Sequence, residues 1–219
     1  MAASLPAARR GASMAWSRLI RPGFLYWVGL VPAAWTFYLG VTDQLGADPM
    51  KVLERSLGLW ALRFLVAGLA ITPLRRLAGI NLLRYRRAVG LLAFFYAVFH
   101  LLVYVVLDQG LDLAAVWADI VKRPFITIGM LAFVILVPLA ATSNNRVIRR
   151  LGPGAWVRLH RWVYAAAAAA AIHFVMVVKS WPPEPLVYAA LVVLLLGYRL
   201  VMASRRPAGR STRPALSGR

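Results

Sequence analysis

The sequence predicts an all-α, polytopic membrane protein: a six-transmembrane-helix bundle with both termini on the cytoplasmic side. Three observations carry that expectation. Of the 219 residues, 61% are hydrophobic and the mean hydropathy is +0.69, which is too apolar for a soluble domain of this length. The apolar residues fall into six windows, each near the ~20 residues a helix needs to cross the hydrocarbon layer. The basic residues are sorted by side. Segments 1–21, 73–87, 143–159 and 199–219 hold 19 Lys and Arg and no acid, whereas the alternate loops 42–56, 108–123 and 179–184 hold five Lys and Arg and all seven acids. By the positive-inside rule the first set is cytoplasmic. The net charge of +19 is therefore a topological signal, and no nucleic-acid partner is expected.

The windows follow in order, punctuated by proline and glycine. The first, 24–41, begins after Arg21-Pro22-Gly23; the basic stretch before it has no apolar core of its own, so this window reads as a retained span rather than a cleaved signal. The second, 57–72, is the shortest, carries Arg63 and is closed by Thr72-Pro73. The third, 88–107, follows Arg86-Arg87, and the fourth, 125–142, follows Arg123-Pro124. The fifth, 156–178, follows Gly152-Pro153-Gly154, reads as one helix and contains an unbroken alanine run at 165–171. The sixth, 186–203, follows Trp181-Pro182-Pro183. Pro32 and Pro138 lie inside windows and predict kinks that packed neighbours tolerate. Trp16, Trp27, Trp60, Trp117, Trp156 and Trp181 lie near window boundaries and read as an interfacial belt. The expected organisation is a basic cytoplasmic segment 1–21, a transmembrane domain 22–203 and a basic, disordered cytoplasmic tail 204–219.

The chemistry rests on three histidines, His100, His160 and His173, in a chain without cysteine. Disulfides, iron–sulfur clusters and thiolate sites are thereby excluded. An imidazole in or beside an apolar window marks a functional site by default. His100 lies thirteen residues beyond Arg87 and His173 thirteen beyond His160, about 20 Å along each helix axis. Both helices enter from the same side, so His100 and His173 are level, in the outer half of the bilayer. Two facing neutral imidazoles are the arrangement that ligates a b-type haem between helices.

His160 has no such partner. The residue level with it is Arg87, which cannot ligate iron but can pair with a haem propionate or a flavin phosphate. Second haem ligand, quinone contact and structural group stay open for His160. A simple two-haem ladder needs a bend, because thirteen residues at about 100° each leave His160 and His173 roughly 140° apart around an ideal helix. A shared zinc ion is disfavoured by the axial separation and by the lack of acids in the windows. Arg75, Arg86, Arg87 and Arg161, near the cytoplasmic mouth, either set topology and bind anionic lipid or hold the anionic end of a cofactor. The alanine run reads equally as close helix packing or as the bed of a flat cofactor. The competing function class is a non-redox transporter or assembly factor whose histidines pack or relay protons.

Several segments together carry a resemblance: Leu45-Gly46-Ala47-Asp48-Pro49, Ile71-Thr72-Pro73-Leu74-Arg75, Arg86-Arg87 through Gly90-Leu91 to His100, Arg123-Pro124-Phe125, Leu151-Gly152 with Trp156, Leu159-His160, Val163-Tyr164 and His173. Over residues 20–203 the chain resembles the haem-binding membrane subunits of bacterial methionine-sulfoxide reductase systems, the MsrQ or YedZ type, within the ferric-reductase-like transmembrane superfamily. The resemblance implies a b-type cytochrome of the bacterial inner membrane. It implies electrons drawn from the quinone pool or a flavin reductase, with FMN as a further cofactor, and passed to a periplasmic molybdopterin subunit that reduces oxidised methionines. It also implies haem ligation at His100 and His173, with His160 involved. The wider superfamily has two histidines on its third helix where this chain has one, which leaves a second haem open. No Gly-rich dinucleotide fingerprint in a βαβ context is present, so an external donor is expected and substrate chemistry falls to a partner subunit.

Overall fold

The computed structural model describes residues 21–178 and 182–205. The basic segment before Arg21, Trp16, Trp181 and the tail beyond Arg205 lie outside the described residues. Those described form helices and no strand: α1 (Pro22–Val41), α2 (Pro49–Leu77), a 3₁₀ turn (Leu83–Tyr85), α3 (Arg86–Leu102) extended by a π-helical segment (Val103–Asp108), α4 (Leu113–Lys122), α5 (Pro124–Ala141), α6 (Asn145–Leu151), α7 (Pro153–His160), α8 (Val163–Val177) and α9 (Pro183–Ser204). Five stretches are long and apolar enough to cross a membrane: α1, α2, residues 83–108 around α3, α5 and α9. The all-α, polytopic class is therefore the one expected.

The fifth window departs from expectation. It is not one helix but α7 and α8, separated at Arg161-Trp162. There the backbone tightens to i→i+3 bonds, Arg161 N–H to the Arg158 carbonyl (3.2 Å), Trp162 to Leu159 (3.0 Å) and Tyr164 to Arg161 (3.0 Å), the usual way a helix end satisfies its orphan groups. Two arginines and an exposed Trp162 (58%) concentrate there. α8 alone has 15 residues, about 22 Å, short of a full span.

The second window is longer than expected, a helix of 29 residues. It starts on an N-cap in which Asp48 accepts from Lys51 N–H (3.3 Å) and Pro49 occupies the first turn. The Lys51 ammonium also donates to Asp48 (2.7 Å), and these bonds hold the Asp48 carboxyl below the usual carboxylate range. Pro73 does not end the helix. A proline withholds the N–H that the carbonyl four residues earlier would receive, here that of Leu69, and the Arg199 guanidinium of α9 supplies the missing donor at 3.0 Å. Pro32 in α1 is repaired in the same spirit: the Tyr96 hydroxyl of α3 accepts from Ala33 N–H (2.9 Å) and donates to the Gly29 carbonyl (2.7 Å), standing in the place of an i→i−4 bond.

Arg63, the charge inside the second window, lies 4.8 Å over the Trp60 ring, donates to the Tyr188 hydroxyl (2.9 Å) and is 3.6 Å from Glu184. Trp60 consequently packs inward, beside Phe64 and Tyr96, rather than joining a belt. Four of the acids assigned to loops are helical: Glu54 in α2, Asp108 at the end of the π-helical segment, Asp119 in α4 and Glu184 in α9.

α2 is central. One buried cluster joins it to α1 and α3 (Ala33, Leu57, Leu92, Tyr96), one to α8 and α9 (Leu62, Leu69, Ala167, Ala171, Val192), and one to α3, α5 and α8 (Leu65, Ala93, Leu136, Ala166). The alanine run is thus taken up by helix contacts on several sides, where small side chains let backbones approach. Helix α4 is amphipathic: Leu113, Trp117 and Val121 form an exposed i, i+4, i+8 stripe. On its other side Asp119 accepts from the Tyr104 hydroxyl (2.9 Å) and pairs with Arg123 (3.1 Å). An exposed apolar stripe of this kind suits the plane of a membrane interface.

Candidate functional site

His100 stands in the last turn of α3, just before the π-helical segment, and His173 in α8. Their ring centres are 6.2 Å apart and the rings are 73° from parallel. Each Nδ1 faces a backbone carbonyl, that of Glu54 in α2 at 2.9 Å for His100 and that of Phe125 in α5 at 2.7 Å for His173. A carbonyl only accepts, so Nδ1 carries the proton in both rings, and each neutral imidazole presents a bare Nε2. Fixing the tautomer through the second nitrogen is how proteins prepare histidine for a metal.

The spacing matches a single metal between the rings. A ligating nitrogen lies about 2 Å from its metal and roughly 1.1 Å from its own ring centre, so rings on opposite sides of one ion have centres about 6 Å apart. Both histidines are partly buried among apolar helices. The donor set, two neutral imidazoles among apolar helices, each bonded to a backbone carbonyl rather than to a carboxylate, fits a haem iron.

His160 is built differently. Its ring stacks on Trp156, one turn earlier in α7, with centres 4.0 Å apart, and its Nε2 is 3.2 Å from the Thr142 hydroxyl. Thr142 already donates its own proton to the Pro138 carbonyl (2.7 Å), so it accepts from His160 and Nε2 carries the proton there. Arg87, expected level with His160, donates to Asn145 at 2.7 Å.

His160, Arg86, Arg87 and Arg161 nevertheless line one cavity of about 800 Å³, together with Arg76 and Arg199. Arg75 is exposed and outside that lining. No Asp or Glu is among the lining residues. Arg199 is a lining residue that the sequence does not single out, because it falls both in the sixth window and in the basic segment 199–219 that marks the cytoplasmic side. Besides the Leu69 carbonyl it donates to the Tyr164 hydroxyl (2.7 Å) and Thr72 (3.2 Å), its guanidinium lies 5.0 Å from the Tyr164 ring centre, and its Nε is buried without a partner. The available signal was an arginine inside an apolar window of a chain with an interior Pro73.

The Ferric reductase like transmembrane component family matches residues 57–171. Proteins from Brucella ovis, Brucella canis and Brucella suis, each named protein-methionine-sulfoxide reductase heme-binding subunit MsrQ, are 59% identical over 204 residues, covering 91% of this chain and 90% of each relative. With this likeness along nearly its whole length, and with its long apolar helices, the chain belongs to the MsrQ family of ferric-reductase-like transmembrane proteins and is a multi-pass inner-membrane protein.

Proposed function

We propose that this chain is the membrane electron-transfer subunit of a methionine-sulfoxide reductase system, with His100 and His173 the axial pair of a b-type haem. The observation that carries the reading is the pair of imidazoles 6.2 Å apart, each with Nδ1 committed to a backbone carbonyl. A haem held there supplies a one-electron carrier inside the bilayer. The chain's part is to hold two imidazoles with bare Nε2 atoms at a ring spacing that suits one iron, and to exclude water from them with the helices around α2.

The charge distribution supports cytoplasmic termini, which places the His100–His173 pair towards the periplasmic face and directs electrons outward. The receiving partner in this reading is a periplasmic molybdopterin subunit that carries the substrate chemistry. The arginine-lined cavity beside His160 is the electron input site, taking a quinol or FMN whose oxygens receive guanidinium donors. Its surplus of cations and the partnerless Arg199 Nε support an anionic or strongly accepting occupant. A second haem on His160 is less well supported, because its Nε2 proton goes to Thr142.

Detergent-purified protein from haem-replete cells is expected to show the reduced α and Soret bands of a low-spin b haem on adding dithionite. A colourless preparation would return the histidines to packing or proton relay in a non-redox protein. Reporter fusions test the orientation: one active only in the cytoplasm is expected to be on after Arg205 and off within 108–119. The opposite pattern would reverse the direction of electron flow.

A further inference from the structure

The two haem-facing histidines are held by the same local device, built twice from unrelated stretches of chain. The carbonyl that receives His100 belongs to Glu54, and four residues on is Gly58; the carbonyl that receives His173 belongs to Phe125, and four residues on is Gly129. Both pairs lie in unbroken helix. A helical carbonyl normally gives one lone pair to the N–H four residues later, and its second lone pair is covered by the side chains around it. Where the fourth residue is glycine, the carbonyl is laid bare and a planar ring can settle against the helix backbone.

The fit is close in both notches. A Cβ on Gly58 would lie 3.0 Å from His100 Nδ1 and 3.2 Å from Cε1, and one on Gly129 would lie 2.8 Å from His173 Nδ1 and 2.9 Å from Cε1. The contacts are with the ring itself, at the edge that makes the hydrogen bond. An imidazole has no flexible end to swing aside, so a methyl group at Gly129 forces the ring away from its carbonyl, and one at Gly58 presses it by a few tenths of an ångström.

We propose that Gly58 and Gly129 are positioning residues for the two axial histidines: each bares the carbonyl that sets its histidine's tautomer and rotation. The proposal rests on the reading of His100 and His173 as ligands. The acceptor is a neutral carbonyl rather than a carboxylate, so ligand basicity is raised without placing a charge in the bilayer. Weakening the Nδ1–H bond makes the imidazole a poorer donor, which disfavours ferric iron and raises the midpoint potential.

The test is Gly129→Ala and Gly58→Ala, purified in detergent and followed by haem content per protein, redox titration and low-temperature electron paramagnetic resonance of the ferric state. Haem that remains in either variant is expected to show an upward shift of midpoint potential and altered ferric g values. The change should be larger for Gly129→Ala, whose Cβ contact is the shorter. If Gly129→Ala does not fold, Gly58→Ala carries the test alone. Glycines serving only helix packing would lower yield or thermal stability and leave the potential and g values of the retained haem unchanged, and that outcome overturns the proposal. His100→Ala and His173→Ala serve as the separate control. Retention of an unaltered haem spectrum in both of those would mean that the axial assignment, rather than the notch, has failed.

Discussion

His100→Ala and His173→Ala are each expected to leave the purified protein with little haem, a loss of more than about tenfold, since even outer-shell changes cost metal sites 10–100-fold in affinity. Under the proposed ligation either substitution removes one of two axial bonds. It also strands the remaining imidazole, still locked by its carbonyl at 2.7–2.9 Å, facing a space with no second ligand. His160→Ala is expected to be milder, because its Nε2 is spent on Thr142. The measurement is the pyridine haemochrome ratio of haem to protein. Full haem in His100→Ala together with an empty His160→Ala would move the principal site to the cavity side.

The second large effect is expected at Tyr96, through stability rather than cofactor. Its side chain is fully buried, and its hydroxyl serves both Ala33 N–H and the Gly29 carbonyl in the stretch of α1 disturbed by Pro32. Tyr96→Phe leaves a donor and an acceptor without a partner at membrane depth. Each such group costs about 1–3 kcal/mol, so a loss of about 2–6 kcal/mol is expected against a total of about 5–15 kcal/mol for a typical protein. The readout is a lowered Tm in detergent with the ring packing against Trp60 and Phe64 left in place. An unchanged Tm would mean that α1 re-closes its own ladder and does not need the bridge.

Much of the molecule was legible because a bilayer writes its demands directly into composition. Apolar windows, sorted arginines and the matched offsets of His100 and His173 all follow from solvation, and the depth argument brought together two residues that the structure places 6.2 Å apart. What stayed hidden depends on partners distant in sequence. Thr72-Pro73 reads as a helix stop because a proline deprives a carbonyl of its donor, and nothing local reveals that Arg199 supplies one. The break at Arg161-Trp162 was missed because that stretch is helical by every neighbour. The required bend between His160 and His173 was its indirect trace. Gly58 and Gly129 look like ordinary small residues in apolar helices until the ring each one faces is known.

Helix α4 has a consequence for behaviour in membranes of different thickness. Its stripe of Leu113, Trp117 and Val121 floats at the surface, and Asp119 on its other side is tied to Tyr104, one helical turn beyond His100. Spans tilt when the bilayer thins or thickens, yet this tie keeps His100 about 6 Å along the α3 axis from the tethered tyrosine. The surface helix and the histidine one turn away are therefore coupled, like a hull and its float, and a shift of α4 is felt at His100.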